Sequence, residues 1–140
     1  LPSVINFAGP DVVLASGETG SGDEVYIYGE RYKEQPGIIN SGSIVRGGIT
    51  KISKKLFPNL SIQGELVGIS KISLKLLNLM CDYHKFNLKF PCSRHYEECI
   101  SDLCQKNEIP FLRVSDLVWT EIDDQSHYER ALKEIFPRLI

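Results

Sequence analysis

The chain has 140 residues, ordinary apolar content (42%) and a net charge of −2. These values suit one compact domain with a real core and argue against disorder. The chain lacks the basic excess of a general nucleic-acid binder, and no apolar stretch approaches bilayer length, so neither nucleic acid nor membrane is expected as a partner.

The N-terminal LPSVINFAGP has neither the basic start nor the apolar centre of a secretory signal. It begins without methionine, so a fragment, a processed product or a trimmed chain is expected. With no export signal, a cytoplasmic protein with reduced thiols is the default for its four cysteines. PDVVLAS, bounded by Pro10 and Gly17, reads as a buried strand. GETGSG invites comparison with a phosphate loop. No Lys-Ser or Lys-Thr follows it, however, and Asp23 and Glu24 would repel phosphate, so a flexible loop is expected. EVYIYGE reads as a strand, and ERYKEQPGIINSG as an irregular connection around Pro36-Gly37. SIVRGGITKISKK suggests two short strands turning at Gly47-Gly48, with Lys51, Lys54 and Lys55 at a solvated strand end.

FPNLSIQG is loop-like, GELVGISKIS strand-like, and KISLKLLNLMCDYHKF helical with Leu74, Leu77 and Cys81 as buried candidates. Ser93 to Lys106 reads as a second helix, with Tyr96, Cys99, Ile100 and Leu103 on one face and Asn107 and Pro110 closing it. Cys92, His95, Cys99 and Cys104 fit no standard zinc spacing, and free thiols are expected. FLRVS and DLVWTEI read as two more strands. In the last helix Ser126 is a candidate N-cap with Glu129 three residues on, and Tyr128, Ala131, Leu132 and Ile135 form its apolar face. Strands alternating with helices in the second half predict an α/β arrangement, a mixed sheet flanked by helices.

Two acidic positions raise a chemical question. Glu65 starts the GELVGISKIS segment; a lone carboxylate there is expected to face solvent. Glu121, Asp123 and Asp124 crowd the handover from a strand to the last helix. The carboxyl edge of an α/β sheet is where ligands bind, and Asp123 there would suit Mg²⁺. Asp before a helix is also a common cap, and chemistry alone favours that second reading.

The run W-x-E-I-D-D-x-x-x-Y-x-x-A, Trp119 to Ala131, resembles the closing motif of the small cytidylyltransferase-like nucleotidyltransferases. These enzymes activate phosphocholine, 2-aminoethylphosphonate and related compounds. GELVGISKIS, Gly64 to Ser73, resembles that family's G-E-[FWY]-[IV]-G-[LI]-x-K-[FL]-S, and the order of elements agrees over about Glu24 to Leu139. The resemblance implies a nucleotide-diphospho-sugar transferase-like fold and Mg²⁺-dependent transfer of a nucleotidyl group, from CTP first of all, to a small phosphorylated or phosphonate acceptor. It assigns the metal to Asp123, an orienting or catalytic role to Glu121, and the acceptor pocket to Glu65. If the EID strand is regular, Trp119 and Glu121 share Asp123's face. Trp119 would then wall a cationic acceptor, with core packing as the open alternative.

The family's opening glycine-rich triphosphate loop is not found. Its second metal-binding aspartate is also absent, either lying upstream or falling near DVVLAS, where Ser16 stands. Residues 1–140 are therefore expected to be one domain, the C-terminal, acceptor-binding part of such an enzyme, with additional domains or a homo-oligomer to complete it. The alternative is a non-catalytic relative kept for assembly or regulation.

Overall fold

The computed structural model describes residues 2–20, 24–32, 44–87 and 95–140. Their elements are a short helix α1 (Pro2–Ile5), strands β1 (Val12–Ser16), β2 (Tyr26–Arg31), β3 (Ile44–Ser53) and β4 (Ile62–Lys71), helices α2 (Leu74–Asn87) and α3 (Tyr96–Leu103), strand β5 (Pro110–Val114) and helix α4 (Gln125–Arg130). The strands form one mixed sheet with helices packed on it, as predicted. The sheet closes on itself in the order β1-β4-β2-β3-β5, a barrel the sequence reading did not contain. β1 lies antiparallel to β4 and parallel to β5.

All five residues of β1 are buried. Val13 and Ala15 join the main core with Ile27, Ile49, Phe111 and Ile100. Val12 and Leu14 join a second cluster with Val4 and Leu112. Alternation along the strand sends its side chains to two covered faces, which is why an unbroken apolar run serves here.

β3 is one ten-residue strand, not two. Gly47 and Gly48 are paired across both neighbours, Gly47 with Arg31 and Phe111, Gly48 with Glu30 and Pro110. A Cβ at Gly47 would collide with the carbonyl oxygen of Glu30 and with the Phe111 ring. The glycine thus marks a close approach of strands and ring rather than a turn. β4 starts inside the segment read as a loop and carries an irregularity: Val13 faces Ser70 while Ala15 faces Leu66. Gly68, at φ 80°, sits in that surplus and supplies the left-handed backbone a bulge needs.

α2 is capped by Ser73, whose hydroxyl accepts from the Leu76 amide at 3.1 Å, while the Ser73 amide donates to Asp11 at 2.6 Å. That docking sets the phase of the helix. Leu76 is buried and Met80 half-buried; Leu74, Leu77 and Cys81 face outward, the reverse of the predicted face. A leucine-rich helix offers two apolar rows, and periodicity does not choose between them. α3 is shorter than predicted. It buries Ile100 and lends the Ser101 hydroxyl, at 3.0 Å, to the Ile52 amide of β3. Residues 116–122, predicted as a strand, have no strand partner; the chain turns after Val114 and runs on irregularly. The flanks of β5 are already taken by β1 and β3.

In the last helix the N-cap is Asp124, not Ser126. Its carboxylate accepts from the His127 amide at 3.0 Å and from the Ser126 hydroxyl at 2.7 Å. Glu129 reaches Lys133 instead of closing a capping box. On the predicted apolar face Ala131 and Ile135 are half-buried, but Tyr128 and Leu132 are exposed. Residues 33–43, with Pro36-Gly37 of the predicted connection, lie outside the described residues, as do residues 88–94 with Cys92. No helix among the described residues is long and apolar enough to cross a membrane.

Candidate functional site

β1 and β5 run parallel and end together, with Ser16 beside Val114. Carboxyl ends of parallel strands are the usual ligand edge of α/β sheets. Glu65 on β4 stands opposite Ser16 on one side and Tyr26 of β2 on the other. A Cβ on Gly64 would strike the Ser16 carbonyl, so the glycine preceding Glu65 is what lets β4 approach β1 this closely. Glu65 is only 2% exposed, contrary to the solvent-facing expectation. A sheet neighbour on each side encloses it, a circumstance invisible in the local sequence. Desolvation, then the carboxylates of Glu24 and Glu65, push the Tyr26 hydroxyl's pKa upward.

A cavity of about 150 Å³ opens beside Glu65. Trp119 forms one wall, Glu18, Thr19 and Gly20 another, and Arg130, Glu134, Ile135 and Arg138 the last. Glu65 and Trp119, named separately from two distant motifs, thus line one pocket. Its charged lining is three carboxylates (Glu18, Glu65, Glu134) against two guanidiniums (Arg130, Arg138). Arg130 ties the walls together, donating to the Gly20 carbonyl at 3.1 Å and to the Thr120 hydroxyl at 3.0 Å. Arg138 donates to both oxygens of Glu18, at 3.0 and 2.9 Å. The bond from Arg138 lowers the Glu18 pKa, and Glu18 raises that of Arg138. Sequence reasoning missed Glu18, Arg130 and Arg138. No local pattern joins Glu18 to a partner 120 residues away.

The other two predicted residues stand apart. Glu121 is half-buried and Asp123 exposed, and neither lines this cavity. With no strand over 116–122, the shared face assigned to Trp119, Glu121 and Asp123 loses its basis. The Asp123 amide donates to Nδ1 of His127 at 3.4 Å. Among the described residues no three His, Cys, Asp or Glu side chains gather as a metal cluster. A lone exposed carboxylate suits Mg²⁺ only as an ion that keeps most of its waters and takes its remaining ligands from substrate phosphates. A larger hollow of about 510 Å³ lies between β3 and α3 and is lined by none of the four predicted residues. No family model matches the chain.

Proposed function

We propose that this chain is the acceptor-binding part of a nucleotidyltransferase-like protein, and that the Glu65/Trp119 pocket holds the cationic end of a small phosphorylated or phosphonate acceptor. The observation that carries this reading is the meeting of Glu65 and Trp119 in one small, acid-rich cavity. A ring face and a buried carboxylate are complementary to an ammonium group. At about 150 Å³ the cavity is smaller than the usual pocket for a drug-sized ligand and suits a small head group.

In the proposed reaction an oxygen of the acceptor's phosphate or phosphonate attacks the α-phosphorus of a nucleoside triphosphate, CTP first of all. A phosphoanhydride forms, the α–β bridge breaks, and pyrophosphate leaves with the bond's electrons. The chain's share is positioning: Trp119 and Glu65 fix the cationic end so that the anionic end points out toward the nucleotide. Mg²⁺, when bound with nucleotide, supplies charge neutralisation on the phosphate oxygens, and Asp123 is the residue that would hold it.

Calorimetry with phosphocholine and 2-aminoethylphosphonate tests the pocket. Glu65→Gln is expected to weaken binding at least about tenfold, the scale of a lost charged hydrogen bond. Absence of heat from both compounds, or binding indifferent to Glu65→Gln and Trp119→Leu, overturns the reading. A second reading, a non-catalytic relative serving assembly or regulation, is favoured by one observation: Glu18, in the chain's nearest approach to a phosphate loop, is engaged by Arg138. Titration with CTP and Mg²⁺ separates the two. Binding that Asp123→Asn abolishes supports the enzyme, whereas binding that survives Asp123→Asn supports the scaffold.

A further inference from the structure

We infer that residues 131–138 form a hinged lid over the Glu65/Trp119 pocket, latched shut by the Arg138–Glu18 ion pair. The lid contributes Glu134, Ile135 and Arg138 to the cavity wall. Its fixed end is Arg130, bonded to the Gly20 carbonyl and the Thr120 hydroxyl. Beyond that anchor the helix changes winding twice, to a π turn over Ala131–Ile135 and a 3₁₀ turn over Phe136–Arg138. A π turn inside a helix frequently marks a functional site, and the 3₁₀ turn that follows is an ordinary way for the helix to end. Among the described residues little else holds the segment down. From residue 131 to the end only Ala131 and Ile135 are even half-buried. Few apolar contacts and an exposed backbone place a segment at the easily opened end of a fold's local stabilities.

The latch has the geometry of a fork on a carboxylate, which fixes the closed position. Its side chains are nevertheless 41% and 50% exposed, so water and salt compete for both partners. A pair of that kind is weak enough to open and specific enough to close in one place. The lid concerns access to the pocket and stands whether or not the occupant is a nucleotidyl acceptor.

Trp119 lines the cavity and is the chain's one tryptophan, so its fluorescence reports on the lid directly. Acrylamide quenching of the whole chain without ligand is the assay. Arg138→Ala and Glu18→Gln are each expected to raise the quenching constant about two- to five-fold at low salt, the range open to an exposed pair. The wild type should approach the variants' value at 1 M salt, where the screening length falls to about 3 Å. The charge-swapped double variant Glu18→Arg with Arg138→Glu should return toward the wild-type value. Equal quenching in wild type and Glu18→Gln, with unchanged circular dichroism, overturns the lid, and that comparison stands alone if Arg138→Ala does not fold. Equal quenching at all salt concentrations overturns it as well.

Discussion

Gly47 and Gly48 are adjacent, identical in chemistry and opposite in expected response to alanine. At Gly47 a methyl group would meet the Glu30 carbonyl oxygen and the Phe111 ring; at Gly48 it meets only the Tyr32 ring and hydroxyl, at ordinary contact distances of 3.8 and 3.7 Å. Both residues lie in extended backbone, since the only positive-φ glycines among the described residues are Gly20 and Gly68. Gly48→Ala should therefore stabilise by about 0.4–1 kcal/mol, because alanine leaves the unfolded chain less freedom to lose. Gly47→Ala has the same gain but must push a backbone oxygen and a buried ring, and overpacking costs about 1–3 kcal/mol. The shared gain cancels, so the two variants should differ by about 1–3 kcal/mol, the overpacking cost. The unfolding entropy of a chain this long is about 0.3 kcal/mol/K, so their melting temperatures should lie roughly 3–10 °C apart, Gly48→Ala above wild type and Gly47→Ala at or below it. Differential scanning calorimetry of the three proteins reads the order directly. A turn with φ positive at both positions predicts that both variants lose stability together. That outcome, or a Gly47→Ala as stable as Gly48→Ala, would refute β3 as one continuous strand against Phe111.

Ser101→Ala leaves the Ile52 amide without its hydroxyl partner beneath α3, and should cost about 1–3 kcal/mol in chemical denaturation. Ser53→Ala, whose hydroxyl accepts from Lys55 in an exposed position, should stay within about 0.5 kcal/mol. Equal losses would mean that Ser101 does not pin α3 to the barrel. The Asp124 carboxyl is held below the usual aspartate pKa, first by the Ser126 hydroxyl and then by the His127 amide. A depressed carboxylate stabilises above its unfolded-state pKa and loses that contribution as pH falls through the lower folded value. The His127 amide resonance should consequently titrate with a midpoint below that of a free aspartate, and Asp124→Asn should flatten the titration. A midpoint in the ordinary aspartate range would remove Asp124 from the cap.

β1, β2, β5 and α3 are legible in the sequence because each rests on a short-range signal. These signals are an apolar or aromatic run between breakers for the strands, and the Asn107 and Pro110 stop for α3. The misread elements share a different origin. The phase of α2 is set by Asp11, the continuity of β3 by Phe111, and the failure of residues 116–122 to pair by the occupied flanks of β5. Each of these partners lies far away in the chain, and closure of the sheet is itself a sum of such pairings. Periodicity records what a segment can bury; it does not record what comes to cover it.

The acidic turn shows the same limit at the level of single atoms. Glu121, Asp123 and Asp124 look alike in the sequence, and alternation along a presumed strand gives the first two one face. Without that strand they part: Glu121 is half-buried, Asp123 exposed, and Asp124 folded back onto the helix it starts. Glu65 behaves in the opposite sense. A solitary carboxylate with no local cue to a role is the one that the sheet buries, because Ser16 and Tyr26 flank it and Gly64 draws β1 close. In this fold the carboxylate with the strongest sequence motif and the carboxylate with the most enclosed environment are different residues. The chemistry proposed for the pocket therefore rests on Glu65, and only the nucleotide's phosphates rest on Asp123. Glu65→Gln and Asp123→Asn should accordingly fail in different ways, the first in acceptor binding and the second in CTP binding.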